Sequence, residues 1–232
     1  MTKKKCCILL LLALSFSAIS QERDLGSEFI VWSQITQKIR FNETFSGSLA
    51  GQYRAFTDRD EDYHLFFAAT VTRKLAHGFS ISAGFMNLNI NRFVDADYVL
   101  VPELRPVQSI QFAYPINKSK FSWRFMTEQR FFKKAANGEL VDGFIHNWRF
   151  RNKFGFTKYV SPRINMTLSS EVMVNAGDIV INIFDQHRAQ GMISYKVGNW
   201  NIETGYMHWF FQTAANSHEN RHTWVVGLVH SL

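Results

Sequence analysis

Cysteine is all but missing from this chain: Cys6 and Cys7 are the two in 232 residues, adjacent and near the N-terminus. Nothing downstream can be stapled, so a disulfide-framework fold is excluded. Proline is scarce too, and three of the four, Pro102, Pro106 and Pro115, fall in one stretch. Elsewhere strands can run without a missing ladder donor. After Ile19 no apolar run approaches the roughly 20 residues that a membrane-crossing helix needs. There is no glycine-rich phosphate loop. None of the eight histidines has a serine two residues later, the spacing that puts base and nucleophile on one strand face for acyl hydrolysis. These absences leave no signature of a catalytic centre, a cofactor or a helical membrane anchor.

What is present begins with Lys3, Lys4 and Lys5 ahead of the apolar run Ile8 to Ile19 and the small residues Ala18 and Ser20. That is the pattern of a secretory signal peptide, expected over 1–20 with cleavage after Ser20. The two cysteines lie at the front of the apolar run, whereas a lipidated cysteine would follow it. The mature chain is therefore expected to be free of cysteine and of a lipid anchor. Losing three lysines and no acid turns 26 basic residues against 19 acidic ones into 23 against 19, a net charge of +4 instead of +7. Export, and charges spread along strands instead of gathered in a patch, exclude nucleic acid as a partner.

The organising pattern is alternation. Phe121, Trp123 and Phe125 alternate with Ser122, Arg124, Met126, Glu128 and Arg130. Phe144, His146, Trp148 and Phe150 alternate with Ile145, Asn147, Arg149 and Arg151. Strand side chains change faces with period 2, so this hairpin has an aromatic face and a charged one. Similar segments recur near 28–39, 43–56, 63–73, 79–90, 103–116, 120–132, 144–156, 163–175, 186–196, 200–212 and 221–232. No linker or composition shift divides them, so 21–232 is read as one domain.

The connections carry separate information. Short ones near 40–42, 74–78, 117–119, 157–162 and 197–199 alternate with longer ones near 57–62, 91–102, 133–143, 176–185 and 213–220. Outer-membrane barrels have short periplasmic turns and longer outside loops. The sequence thus predicts an all-β fold, a transmembrane antiparallel up-and-down barrel of about ten to twelve strands with a polar lumen. It would sit in the cell outer membrane among lipids and lipopolysaccharide, with Leu232 at the periplasmic edge and the C-terminal strand read by the barrel-insertion machinery. Eleven segments conflict with the even strand number of bacterial single-chain barrels. Either 28–39 is not a full wall strand or two strands are merged in the proline-containing stretch 95–116.

A set of short motifs runs through the same segments: Trp32, Gln52-Tyr53-Arg54, Glu128-Gln129-Arg130, Arg149-Phe150-Arg151, Phe184-Asp185-Gln186-His187-Arg188, Gly205-Tyr206 and Asn220-Arg221-His222. In order and spacing they resemble the outer-membrane-barrel family known as domain of unknown function 2490, of Bacteroidetes-type Gram-negative bacteria. His187 stands where that family usually has asparagine. The resemblance implies location and architecture and no activity.

On the expected lumen face stand Arg54, Glu103, Arg105, Arg124, Glu128, Arg130, Arg149, Arg151, Glu171, Arg188 and Glu203. In a narrow barrel they share one interior, where an unpaired charge is costly and a paired one tolerable. The plain reading is a salt-bridge network that largely fills the lumen. The functional one is a basic constriction selecting a small anionic solute, since guanidinium forks suit carboxylate and phosphate alike. Phe121, Trp123, Phe125, Trp148, Phe150 and Trp224 are expected to face lipid. His146 and His208 fall on that face as well, with Asn147 and Ser170 as conceivable partners in a lipid-modifying acyl hydrolase. Asp58, Asp60, Glu61, Asp62 and His64 read as a solvated acidic loop. His218, Glu219 and His222 are close in sequence but enter a strand, so no metal is expected. A channel, structural or transport-related barrel without enzymatic activity is the main expectation. A lipid-modifying enzyme and a soluble exported barrel of lipocalin type are the rivals.

Overall fold

The computed structural model describes residues 26–57, 63–95, 97–177, 183–214 and 217–232. The expected signal peptide and the acidic residues Asp58, Asp60, Glu61 and Asp62 lie outside them. The described residues form eleven strands: β1 (Gly26–Arg40), β2 (Phe45–Phe56), β3 (Tyr63–Lys74), β4 (Phe79–Val94), β5 (Asp97–Ile116), β6 (Ser119–Ala136), β7 (Glu139–Tyr159), β8 (Ile164–Ala176), β9 (Phe184–Val197), β10 (Trp200–Ala214) and β11 (Ser217–Ser231). No α-helix occurs among the described residues. One 3-10 turn, Ala76–Gly78, lies between β3 and β4.

Each strand pairs antiparallel with the next, and the sheet closes on itself. The closing seam differs from the rest, because β1 and β11 run parallel, from Gly26 beside Glu219 to Lys38 beside Ser231. The strand number is therefore odd. Neither repair of the count holds: β1 is a full wall strand, and β5 is one continuous strand. Its prolines are accommodated locally. Arg105 and Pro106 have no ladder partner in β6, while pairing to β4 continues through both. A missing N–H thus costs one gap on one side of the strand.

The short connections fall as expected, and their chemistry explains their tightness. The Asn42 side chain accepts hydrogen bonds from the backbone N–H groups of Thr44 and Phe45 at the β1–β2 turn. The Ser161 hydroxyl accepts from Arg163 and Ile164 before β8. At the opposite rim the expected loops 91–102 and 133–143 are mostly strand. β4 and β5 extend to Val94 and back from Asp97, and β6 and β7 turn at Asn137 and Gly138, whose φ values are +53° and +74°. Asn-Gly with both residues left-handed is the type I′ hairpin signature. Four neighbouring strands consequently rise above the wall as two long hairpins. Their tips touch where Asp95 accepts a hydrogen bond from the Asn137 backbone.

Alternation then sorts the side chains. Residues facing outward are apolar around the whole circumference: Phe29, Ile35, Leu49, Phe67, Ile81, Ile110, Phe154, Leu168, Ile193, Ile202 and Trp224 are all exposed. Residues facing inward are mixed. Ile30, Trp32, Phe56, Met207, Trp209 and Val225 form one interior apolar cluster, and Phe66, Met86, Leu88, Val107 and Met126 a second. The polar lumen is thus flanked by apolar packing where β9 to β2 and β3 to β6 curve around it. Inward Gly205 permits that curvature, since a Cβ there would collide with the Gly191 carbonyl oxygen.

Candidate functional site: the charged belt of the lumen

Five strands carry the charged groups inward near mid-height: β5 (Glu103, Arg105), β6 (Arg124, Glu128, Arg130), β7 (Arg149, Arg151, Lys153), β8 (Glu171) and β9 (Asp185, Arg188). They meet because successive ladders place Glu128 opposite Arg149, and Glu171 opposite both Lys153 and Arg188. Glu103 is fully buried, takes a two-pronged contact from Arg105 at 2.6 and 2.7 Å, and is also bonded by Arg130. Glu128, equally buried, meets Arg151 at 2.6 Å, Arg105 at 3.2 Å and Arg149 at 3.8 Å. Glu171 is held by Arg124 at 2.7 Å and by Arg151 at 2.9 and 3.0 Å. Asp185 accepts from Arg149 at 2.9 Å, from the Asn175 amide at 3.0 Å and from Gln186. Arg105, Arg149 and Arg151 each bridge two carboxylates, so the belt is one connected network. Such shared, two-pronged pairs are the geometry in which buried ions are tolerated.

Aromatic rings take part as well. Arg54 lies 3.7 Å from the centre of the Trp32 indole, and Arg188 lies 4.3 Å from that of Trp209 and 5.5 Å from Trp32. Arg221 packs over Phe56, Trp209 and Phe211 and pairs with Glu28 and Glu219 toward the long-hairpin rim. Sequence alternation places arginine and glutamate inward and the aromatics of β6, β7 and β11 outward, and gives Trp32 and Trp209 no face. Both point inward as stacking platforms. Their places beside Ile30 and Met207 in the inward rows are the signal that could have shown it.

The belt does not occupy the whole lumen. On the β2 to β6 side, where the inward residues Ser48, Ala50, Ala68, Thr70, Thr72 and Ser82 are small, a cavity of about 1450 Å³ runs toward Arg92 and Phe132. A second cavity of about 400 Å³ lies on the β7 to β10 side, toward the short turns. Trp32, Gln52, Arg124, Arg151 and Arg188 border both.

Of the residues expected in the network, Glu103, Arg105, Arg124, Glu128, Arg130, Arg149, Arg151 and Glu171 are joined in it, and Asp185 is an addition. Arg54 and Arg188 face the same interior, but their nearest polar partners are Gln52 at 2.8 Å and Gln186 at 3.1 Å. Glu203 lines the smaller cavity without joining the network, because it sits six residues below Arg188 on the β9–β10 ladder, opposite Ser194. Phe121, Trp123, Phe125, Trp148, Phe150 and Trp224 stand on the outward rows. There Phe125 and Trp148 both stack on Phe150.

The histidines are arranged differently from the imagined pairs. Asn147 lines the larger cavity inside the barrel while His146 packs outside, tilted against Phe131 and edge-on to Trp148, so the two cannot cooperate. Ser170 meets His187, not His208, with Oγ 2.9 Å from Nε2 in a contact between β8 and β9. His222 is hydrogen-bonded to the Tyr206 hydroxyl, stacks on Phe29 and lies against His208. His218 stacks on Phe210, whereas Glu219 binds Arg221, so the three residues near the last turn diverge. His64 faces the lumen against Phe56. Among the described residues no group of three or more histidines and carboxylates could hold a metal ion.

A closed eleven-stranded β-barrel, apolar outside and belted inside by arginine and carboxylate, is the class these features define. The chain belongs to the family described as Protein of unknown function (DUF2490), whose model matches residues 29–220. No curated protein and no solved structure matches it.

Proposed function

We propose that this protein is an integral outer-membrane barrel of structural or narrow transport-related function, exported by its leader and embedded in lipid and lipopolysaccharide. The observation that carries the reading is the outer surface. Apolar side chains are exposed on every strand, from Phe29 and Ile35 on β1 through Leu168 on β8 to Trp224 and Leu228 on β11. Monomers in water rarely expose contiguous apolar patches beyond a few hundred Å². An encircling band asks for a hydrocarbon solvent, and strands of 12 to 21 residues exceed the roughly 9–11 needed to cross it. Near the short-turn rim the outward residues Phe45, Phe79, Tyr114, Tyr195 and Trp200 are exposed aromatics, the composition of an interfacial girdle. With ion pairs at mid-height, any passage is narrow. Fractionation tests the reading. The protein should stay in the membrane pellet after osmotic shock and carbonate washing, and release by shock alone would point to the soluble lipocalin-type alternative. Planar-bilayer recording then separates an open pore from a blocked one.

The Ser170–His187 hydrogen bond favours one second reading, a lipid-modifying enzyme, because the pair lies on the outward face where an acyl chain would approach. A Ser–His pair needs a group that orients the base and donors for the oxyanion. The ladder neighbours of the pair, Phe154 and Ala189 beside Ser170 and Val172 and Phe210 beside His187, carry no side chain that could do either. Folded barrel incubated with radiolabelled phospholipid decides the matter. Product formation abolished by Ser170→Ala would establish the enzyme, and no product would remove it.

A further inference from the structure

The belt's charges do not balance, and the surplus is localised. Glu103, Glu128, Glu171 and Asp185 are shared among Arg105, Arg124, Arg130, Arg149 and Arg151. Arg54, Arg188 and Lys153 enter the same interior, and among the described residues none of them has a carboxylate within 4.0 Å. Arg54 and Arg188 are compensated in part by stacking on Trp32 and Trp209, which recovers less than the burial of an ion costs, and Lys153 has no such contact.

Hydrogen bonding is unbalanced in the same sense. Arg54 Nε, Arg124 Nε, the indole Nε1 atoms of Trp32 and Trp209, and Thr223 Oγ1 are buried without a partner. Arg54, Trp32, Trp209 and Thr223 are each more than nine-tenths buried. All five side chains can donate, and the first four can only donate. They belong to β1, β2, β6, β10 and β11, which surround the surplus cations. Against these donors Asn147 Oδ1, an acceptor on the wall of the larger cavity, is also buried without a partner. Unpartnered donors still outnumber it, and with the surplus positive charge the interior calls for an anion.

The smaller cavity is where one fits. Arg188, Lys153 and Arg124 line it, with the amides of Gln34, Gln52 and Gln190 as neutral donors. Its volume of about 400 Å³ falls within the ~300–1,000 Å³ of small-molecule sites. Of the two carboxylates in its wall, Glu171 is engaged by Arg124 and Arg151, and Glu203 lies at the far end, opposite Ser194. That free carboxylate places the anion's charged end toward Arg188 and away from the short-turn rim.

We propose that this cavity is a binding site for a small anion carrying a carboxylate or phosphate group. Arg188 and Lys153 hold it, and Arg54 approaches across the Trp32 indole from the larger cavity. The site depends on the barrel interior and not on the membrane reading, since a barrel folded in detergent has the same interior. Failure of one therefore leaves the other standing.

The test is calorimetric titration of detergent-folded barrel with inorganic phosphate and, separately, with citrate in low-chloride buffer. Fluorescence of the indoles beside the cavity is followed in parallel. The expected result is saturable one-site binding of at least one anion, weakened tenfold or more in Arg188→Gln and in Lys153→Gln and less than twofold in Lys196→Gln, an exposed control. Phosphate without citrate identifies a phosphate ligand, and the reverse a carboxylate. If Arg188→Gln fails to give the heat-modifiable folded band, Lys153→Gln decides. Absence of saturable binding by either anion, or equal loss in Lys153→Gln and Lys196→Gln, overturns the site.

Discussion

Replacing Glu128 with glutamine tests whether the belt carries the stability of the barrel. The carboxylate is fully buried and is met by Arg151 at 2.6 Å, Arg105 at 3.2 Å and Arg149 at 3.8 Å. Glutamine keeps the shape and one acceptor oxygen but removes the charge and brings an NH₂ group into a ring of donors. Removing one partner of a buried ion pair typically costs about 3–5 kcal/mol. Here each arginine retains a second carboxylate, Glu103 for Arg105, Asp185 for Arg149 and Glu171 for Arg151. The expected loss is therefore at the lower end, about 3 kcal/mol. Arg54→Gln is the internal contrast, since it deletes a cation that has no carboxylate, and it should change stability by no more than ~1 kcal/mol in either direction. The double variant Glu128→Gln/Arg151→Gln should lose less than the sum of its parts, by about 0.5–3 kcal/mol. Urea unfolding of detergent-folded protein, followed by tryptophan emission and extrapolated linearly to zero denaturant, supplies the comparison. A Glu128→Gln barrel as stable as wild type, or no less stable than Arg54→Gln, would refute a scaffold role for the belt.

Arg149→Leu leaves Glu128 and Asp185 each short of a partner, and its folded band in detergent should melt at lower temperature; unchanged heat resistance would move the group from scaffold to function. Gly205→Val drives a branched side chain into the Gly191 carbonyl, so the folded band should be lost, and normal folding would show that the wall can open there. On a background lacking Cys6 and Cys7, Ser33→Cys with Val226→Cys should oxidise to a disulfide that changes migration without reductant, because the seam sets these residues side by side; no bridge under oxidant would contradict the parallel closure. Gly138→Ala forces a left-handed residue with φ +74° to carry a Cβ, at a cost of about 1 kcal/mol in the same urea assay.

The wall was legible because its determinant is local. Alternation such as Phe121, Trp123 and Phe125 against Arg124, Met126 and Glu128 fixes faces within one strand. What escaped depends on relations between strands. The parallel seam pairs residues nearly the whole chain apart, and no local spacing encodes it. The hairpin at Asn137 and Gly138 was hidden by lysines and alanines that read as loop, although the Asn-Gly pair itself was the signal. The belt's membership followed from the inward rows, but its partners did not. Ladder offset and side-chain reach, not sequence distance, decide that Arg149 meets Asp185 and that Glu203 stays apart. Ser170 and His187 meet on a diagonal between β8 and β9, which a same-strand search for base and nucleophile cannot detect.

The parallel seam has a topological consequence. With an odd strand number the first and last strands point the same way, so Gly26 and Ser231 lie at opposite rims, separated by the full height of the wall. Many domains tolerate circular permutation because their ends are neighbours. Here a linker joining Gly26 to Ser231 would have to climb the barrel or thread its lumen past the belt, so the strand order is not exchangeable. The same asymmetry makes the molecule a built-in reporter of direction: labels beside Gly26 and beside Ser231 mark its two opposite rims.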